Sequence, residues 1–128
     1  MDLQEDFGYG FLFITHNLSV INHIANRVAV MYLGRFVELG DVDQIFNNPG
    51  HPYTKALLAA RSEIDPEQKI KRIILEGDVP SPINPPKGCF FNPRCTSECR
   101  TDDCELNSPI KFEIEVGHFV WCHLQNNK

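Results

Sequence analysis

Five cysteines are the residues of this 128-residue chain whose type and spacing most suggest chemistry, and all lie in its last 40 positions. They are Cys89, Cys95, Cys99, Cys104 and Cys122, spaced as C-x5-C, C-x3-C, C-x4-C and C-x17-C. An iron–sulfur cluster needs four thiolates and tolerates varied spacing. A structural zinc ion is the second interpretation, although no C-x-x-C pair is present. The remaining alternatives are free buried thiols and disulfides. The odd number of cysteines disfavours disulfides.

His16 is the other candidate for chemistry. It directly follows residues 11–15, of which the first four are apolar, and precedes Asn17, a residue type that caps helices. An apolar run without alternation predicts a strand buried on both faces. Ligands of open α/β sheets bind beyond the carboxyl ends of the strands, so His16 is well placed to meet one. From position alone, a histidine that only hydrogen-bonds a loop is the more ordinary interpretation.

The elements that must position these residues alternate between helix and strand periodicity. In order they are a helix capped by Asn17, a hairpin of residues 27–33 and 36–39, a helix from Asp41 with Gln44 as capping-box partner, and a helix from Pro52. Apolar and charged residues then alternate over 110–116, which predicts a strand with one solvent-exposed face.

Composition excludes several classes of protein. The net charge of -5 disfavours nucleic acid as a partner, because phosphate binding needs clustered Lys and Arg. Apolar runs such as residues 11–14 are far shorter than the roughly 20 residues that a membrane-spanning helix needs. No export signal is visible. No G-x-x-x-x-G-K-[ST] motif is present, so we expect no phosphate-binding loop of the common NTPase kind in this chain.

Several motifs together resemble one family. Residues 13–20 (FITHNLSV) and 24–40 (IANRVAVMYLGRFVELG) resemble the end of an ABC-transporter ATPase subunit. Residues 51–58 (HPYTKALL) resemble the ATPase subunits of oligopeptide and dipeptide importers, of which nickel importers are close relatives. The tail is similar to that subfamily's extension at residues 77–82 (GDVPSP), 88–90 (GCF), 94–95 (RC), 117–118 (GH) and 122–124 (CHL).

The resemblance implies an α/β fold: the C-terminal fragment of an ABC-type P-loop NTPase lobe plus a small, irregular, cysteine-rich tail. We expect the lobe at residues 1–48, a helical segment with a proline-rich connector at 49–86, and the tail at 87–128. The family's phosphate loop, signature motif and catalytic carboxylate would precede Met1. The chain alone is therefore expected to be inactive, whereas its parent subunit would hydrolyse ATP with Mg²⁺ to drive peptide import.

The resemblance also assigns roles to residues. His16 corresponds to the switch histidine, which contacts the γ-phosphate of ATP and helps to orient the attacking water. The tail implies a [4Fe-4S] cluster on Cys89, Cys95, Cys104 and Cys122, with Cys99 as the alternative to Cys104. Its role would be structural, and zinc or disulfides could replace it after aerobic preparation.

The same resemblance implies partners and a place in the cell. Expected partners are a second ATPase subunit and the permease subunits, on the cytoplasmic face of the membrane, with the peptide bound by other subunits. The sequence does not fix the cargo. The alternative function is a free-standing iron–sulfur or zinc-binding module without an ATPase role.

Overall fold

A tight hairpin organises the fold. The computed structural model describes residues 6–61, 75, 77–98 and 100–127. Strand β1 (Arg27–Tyr32) pairs antiparallel with β2 (Arg35–Asp41). Leu33 and Gly34 join the strands with φ of 47° and 76°, the left-handed conformation required at both central positions of a type I′ turn. The predicted hairpin is therefore confirmed, with its turn one residue earlier than expected.

Two further strands come from the cysteine-rich tail. Strand β3 (Lys111–Glu115) pairs antiparallel with β4 (His118–Trp121), and β4 pairs with β2 through Glu38 opposite Val120 and Leu39 opposite Phe119. The four-stranded sheet has the order β1-β2-β4-β3. The tail was expected to be irregular, but it supplies half of the sheet. Regular structure forms there because β4 completes the hydrogen bonds along the free edge of β2.

Short helices surround the sheet: α1 (Leu18–Ile24), α2 (Val42–Asn47), α3 (Pro52–Arg61) and α4 (Asp103–Leu106), with 3-10 turns at Asn92–Arg94 and His123–Asn127. The predicted caps are confirmed. Asn17 Oδ1 accepts the N–H groups of Ser19 and Val20 at 3.0 and 3.3 Å. Gln44 Oε1 accepts the Asp41 N–H at 3.0 Å. Residues 77–88 form neither helix nor strand, as their prolines predict.

The core joins the hairpin to the tail. Tyr32 and Val37 pack with Phe91, whose side chain is 1% exposed. The Tyr32 ring meets the rings of Tyr53 and Phe91 edge-on, with centroids 4.8 and 5.3 Å apart. Phe91 lies two residues after Cys89, so burying it also fixes the first cysteine against the sheet.

Residues 11–15 differ from the prediction. They lie in no strand, and Leu12 and Ile14 are 90% and 94% exposed. A strand buried on both faces needs hydrogen-bonding neighbours and covering layers. The described residues supply neither, so the strand predicted here is not formed. Within the described part of the chain, none of the helices is both long and apolar enough to traverse a bilayer.

Candidate cysteine site

Four of the five cysteines line a single cavity. Cys89, Cys95, Cys104 and Cys122 surround it, together with His51, Pro52, Phe91, Asn92, His123 and Leu124. The cavity volume is about 10 Å³, room for about one water molecule. The fold thus brings together the four residues proposed from the sequence as ligands. Cys99, the alternative ligand, lies outside the described residues.

Backbone contacts hold the cysteine-bearing segments together. The Cys89 N–H donates to the Cys104 carbonyl oxygen at 2.9 Å, which ties the loop to α4. Gly88 makes this approach possible, because a Cβ there would lie 2.7 Å from the same carbonyl oxygen. Its φ of 68° is also in the left-handed region. After Phe91 enters the core, the 3-10 turn at Asn92–Arg94 leads to Cys95, whose N–H donates to the Asn92 carbonyl at 3.1 Å.

The four thiols are free, and the surroundings of three of them favour the protonated form. Burial raises the pKa of Cys89, Cys95 and Cys122, and that of Cys122 reaches about 12. Mutual repulsion is a second cause, since the other three thiols each raise the pKa of Cys122 further. A cationic centre would reverse this balance, because it binds thiolates and releases their protons.

The donor set restricts the kinds of centre that the site could hold. Within the described ranges, no group of three or more His, Cys, Asp or Glu side chains is arranged to hold a single metal ion. Four thiols without a carboxylate are the ligands of an iron–sulfur cluster or of zinc. These thiols are the side chains that would hold such a centre, whereas the cavity of about 10 Å³ would have to widen to admit a cluster.

His51 also lines the cavity, a role that its neighbours in the sequence do not indicate. Its side chain is 1% exposed, and its Nδ1 accepts the Tyr53 N–H at 3.0 Å at the start of α3. Burial, with a smaller effect of Lys55, lowers the pKa of His51 to about 3. The ring is therefore neutral at physiological pH. Its position before Pro52 in the sequence signals a helix start but gives no sign of the cavity.

His123 is the second histidine of the cavity. Its Nε2–H donates to the Asn107 carbonyl at 2.8 Å, which fastens the C-terminal turn to the end of α4. This contact explains how a histidine next to Cys122 helps to hold that cysteine at the cavity. Its position next to Cys122 in the sequence already indicates such a supporting role.

A buried polar network lies beside the site. The Glu38 carboxylate accepts the N–H groups of Gly50 at 2.7 Å and His51 at 2.9 Å, and it lies 2.7 Å from His118 Nε2. Glu38 and His118 are both fully buried. No local sequence pattern marks Glu38, because its partners are 12, 13 and 80 residues away.

His16 lies away from this cavity. It stands at a bend directly before the Asn17 cap of α1, and its side chain is exposed. The Thr15 hydroxyl accepts the Asn17 N–H at 3.0 Å and shapes this bend. The His16 side chain is therefore solvent-exposed at the start of α1.

Comparison with known protein families identifies the family of this chain. The family described as "Oligopeptide/dipeptide transporter, C-terminal region" matches residues 37–104, which is more than half of the chain. The chain belongs to this family. The match includes Glu38, His51, Cys89, Cys95 and Cys104, whereas His16, His118 and Cys122 lie outside it.

Individual relatives agree with the family match. The chain is 52% identical to the dipeptide transport ATP-binding protein DppF of Haemophilus influenzae over 95% of its own length and 37% of that protein. It is 59% identical to the Escherichia coli protein of the same name over 74% of the chain and 28% of that protein. The putative oligopeptide transport ATP-binding protein YkfD of Bacillus subtilis is 46% identical over 98% of the chain and 38% of that protein. The chain thus spans about a third of the length of these relatives.

Proposed function

We propose that this chain is part of the ATP-binding subunit of a peptide importer, which couples ATP binding and hydrolysis to the inward transport of oligopeptides or dipeptides. The observation that carries the proposal is the 52% identity to a dipeptide transport ATP-binding protein over 95% of the chain. The cargo would be a peptide held by other subunits. The subunit would lie on the inner face of the cell membrane, beside a second ATP-binding subunit and the permease subunits.

In this proposal the chain supplies one catalytic group, His16. An exposed imidazole at a bend can reach the γ-phosphate of ATP and help to orient the attacking water. Phosphoryl transfer depends on such positioning and on stabilising charge spread over the phosphate oxygens. The phosphate loop, Mg²⁺ ligands and catalytic carboxylate belong to the rest of the subunit, so the chain alone neither binds nor hydrolyses ATP.

The exposed apolar residues 11–14 support the proposal that other parts of the ATPase lobe pack against this chain. Phe11, Leu12, Phe13 and Ile14 present more than half of their surface to solvent, although the run is typical of a buried strand. Exposed apolar patches of this kind mark surfaces that another part of a protein covers. In the complete subunit, we expect the remaining strands of the ATPase lobe to pair with residues 11–15 and to bring His16 to the nucleotide.

The cysteine cavity would hold a [4Fe-4S] cluster through Cys89, Cys95, Cys104 and Cys122. When bound, the cluster supplies sulfur–iron bonds between segments that the fold has already brought together. Its role would be structural, because a proline-rich tail buries little apolar surface of its own. As its ligands, the thiols would join three parts of the chain: the loop at 89–95, α4 and the end of β4.

Transport by the assembled importer tests the function. The complete subunit, produced with its permeases and reconstituted into proteoliposomes, should accumulate a labelled dipeptide only when ATP is present on its own side. A catalytically dead partner subunit serves as the matched control. Hydrolysis without any peptide uptake, tested with dipeptides and longer peptides, would contradict the cargo assignment.

The second candidate is a free-standing metal-binding module without an ATPase role. The four thiols that converge on one cavity favour it, because this site needs no other part of a subunit. The two candidates differ in the dependence on ATP. Iron uptake by the chain fits both, whereas only the importer subunit needs His16 and the exposed residues 11–15.

A further inference from the structure

A second, larger cleft adjoins the cysteine cavity, and Cys89 and Phe91 line both. Its volume is about 430 Å³, within the range of about 300–1,000 Å³ that is usual for small-molecule sites. Its walls include the rings of Phe36, Phe90 and Trp121, and Arg35 stands among them. We name it the aromatic cleft.

The rings of the cleft present flat apolar surface to a ligand. Phe36 is half exposed, and its ring centroid lies 6.1 Å from that of Trp121 at an interplanar angle of 34°. Phe36 belongs to β2 and Trp121 to β4, so the sheet fixes both backbones. Aromatic walls held by strands bind flat apolar rings with little cost in ordering side chains.

Arg35 gives the cleft a positive charge. Its guanidinium lies 4.2 Å from the centroid of the Phe90 ring, a contact that orients the planar group. Among the described residues, no carboxylate forms an ion pair with Arg35, and no acidic side chain lines the cleft. The cleft is therefore positively charged, although the chain as a whole has a net charge of -5.

We propose that the aromatic cleft is a binding site for a small planar aromatic carboxylate. The ring of the ligand packs between Phe36, Phe90 and Trp121. Its carboxylate pairs with the Arg35 guanidinium, the fork-shaped donor that suits carboxylates best. Bound there, the ligand lies against Cys89, which lines both the cleft and the cysteine cavity.

The only tryptophan of the chain provides a direct readout of binding. The 128-residue chain, labelled with ¹⁵N, is titrated with 2-naphthoate while the indole N–H resonance of Trp121 is followed by NMR. The neutral 2-naphthamide is the matched ligand. We expect a saturable shift with 2-naphthoate and binding about tenfold weaker with 2-naphthamide, because the amide loses a charged hydrogen bond.

Two variants assign the effect to Arg35. R35Q should weaken 2-naphthoate about tenfold and leave 2-naphthamide unchanged. K111Q is the matched control, because the Lys111 ammonium also lies over a ring, that of Phe119 at 4.6 Å, but does not line the cleft. K111Q should bind both ligands as the wild type does. The proposal is overturned by an indole resonance that does not shift saturably, by equal affinity for the two ligands, or by equal losses in R35Q and K111Q.

Discussion

Glu38 Oε1 and His118 Nε2 lie 2.7 Å apart, 80 positions apart in the sequence, and both side chains are fully buried. The same carboxylate accepts the backbone N–H groups of Gly50 and His51, so one residue of β2 connects β4 with the start of α3. His51 lines the cysteine cavity. The network therefore stabilises the wall of the candidate site as well as the sheet.

Replacing Glu38 with alanine should lower the free energy of unfolding by about 3–5 kcal/mol, because the change leaves buried donors without an acceptor. Urea denaturation followed by circular dichroism measures it. E115A is the matched control, since Glu115 is exposed on the edge strand β3, and its change should stay within about 0.5 kcal/mol. Equal stabilities of E38A and E115A would show that the network contributes nothing.

Local signals in the sequence predicted much of this fold. Gly34 marked the hairpin, Asn17 and Gln44 marked helix starts, and alternation marked β3, because each of these depends on residues close in sequence. Glu38 was not recognised, since an acidic residue in a strand is usually solvated and its partner lies 80 residues away. The run at 11–15 was assigned to a buried strand that needs neighbours absent from the described residues.

The candidate site was predictable in part. The cysteines themselves were evident, but spacing alone could not select among iron–sulfur, zinc and disulfide chemistry. His123 and Leu124 reach the cavity because they directly follow Cys122. His51 reaches it only through the tertiary fold, which no local pattern encodes.

Gly88 should be required for the cysteine site. G88A adds a Cβ 2.7 Å from the Cys104 carbonyl oxygen, whereas G117A adds one with nothing within 4 Å, at a similar φ of 75°. Both variants should lose about 1–2 kcal/mol to backbone strain, and G88A about 1–3 kcal/mol more through the clash. Urea denaturation distinguishes them, and a G88A variant no less stable than G117A would refute the close approach.

Iron loading tests the ligand set. Reconstituted without oxygen, the wild-type chain should bind about four iron atoms, and C95S should lose them together with thermal stability. C99S is the matched control and should keep its iron and its absorption spectrum. If C99S loses iron while C104S keeps it, the fourth ligand is Cys99. If C95S keeps its iron, the proposed site is wrong.

The metal-free, reduced chain should become less stable at high pH. The pKa of Cys122 is about 12 in the folded chain against an ordinary value of 9.0, so between these values the unfolded state releases a proton that the folded state keeps. The stabilisation that comes from the retained proton of Cys122 is complete below about pH 9. It falls by at most about 1.4 kcal/mol per pH unit above that value. Urea denaturation at several pH values, compared with C122A, measures this difference. If the difference in unfolding free energy between the wild type and C122A does not change with pH, the burial of the Cys122 thiol is contradicted.

ATP hydrolysis by the complete subunit tests the central claim most directly. H16A should reduce the rate about a hundredfold, the usual cost of losing one group that stabilises the transition state. H23A is the matched control, because His23 is also exposed and lies on α1, seven positions further along. It should hydrolyse ATP as the wild type does. Equal rates in wild type, H16A and H23A would contradict the proposal that this chain contributes to a nucleotide-hydrolysing site.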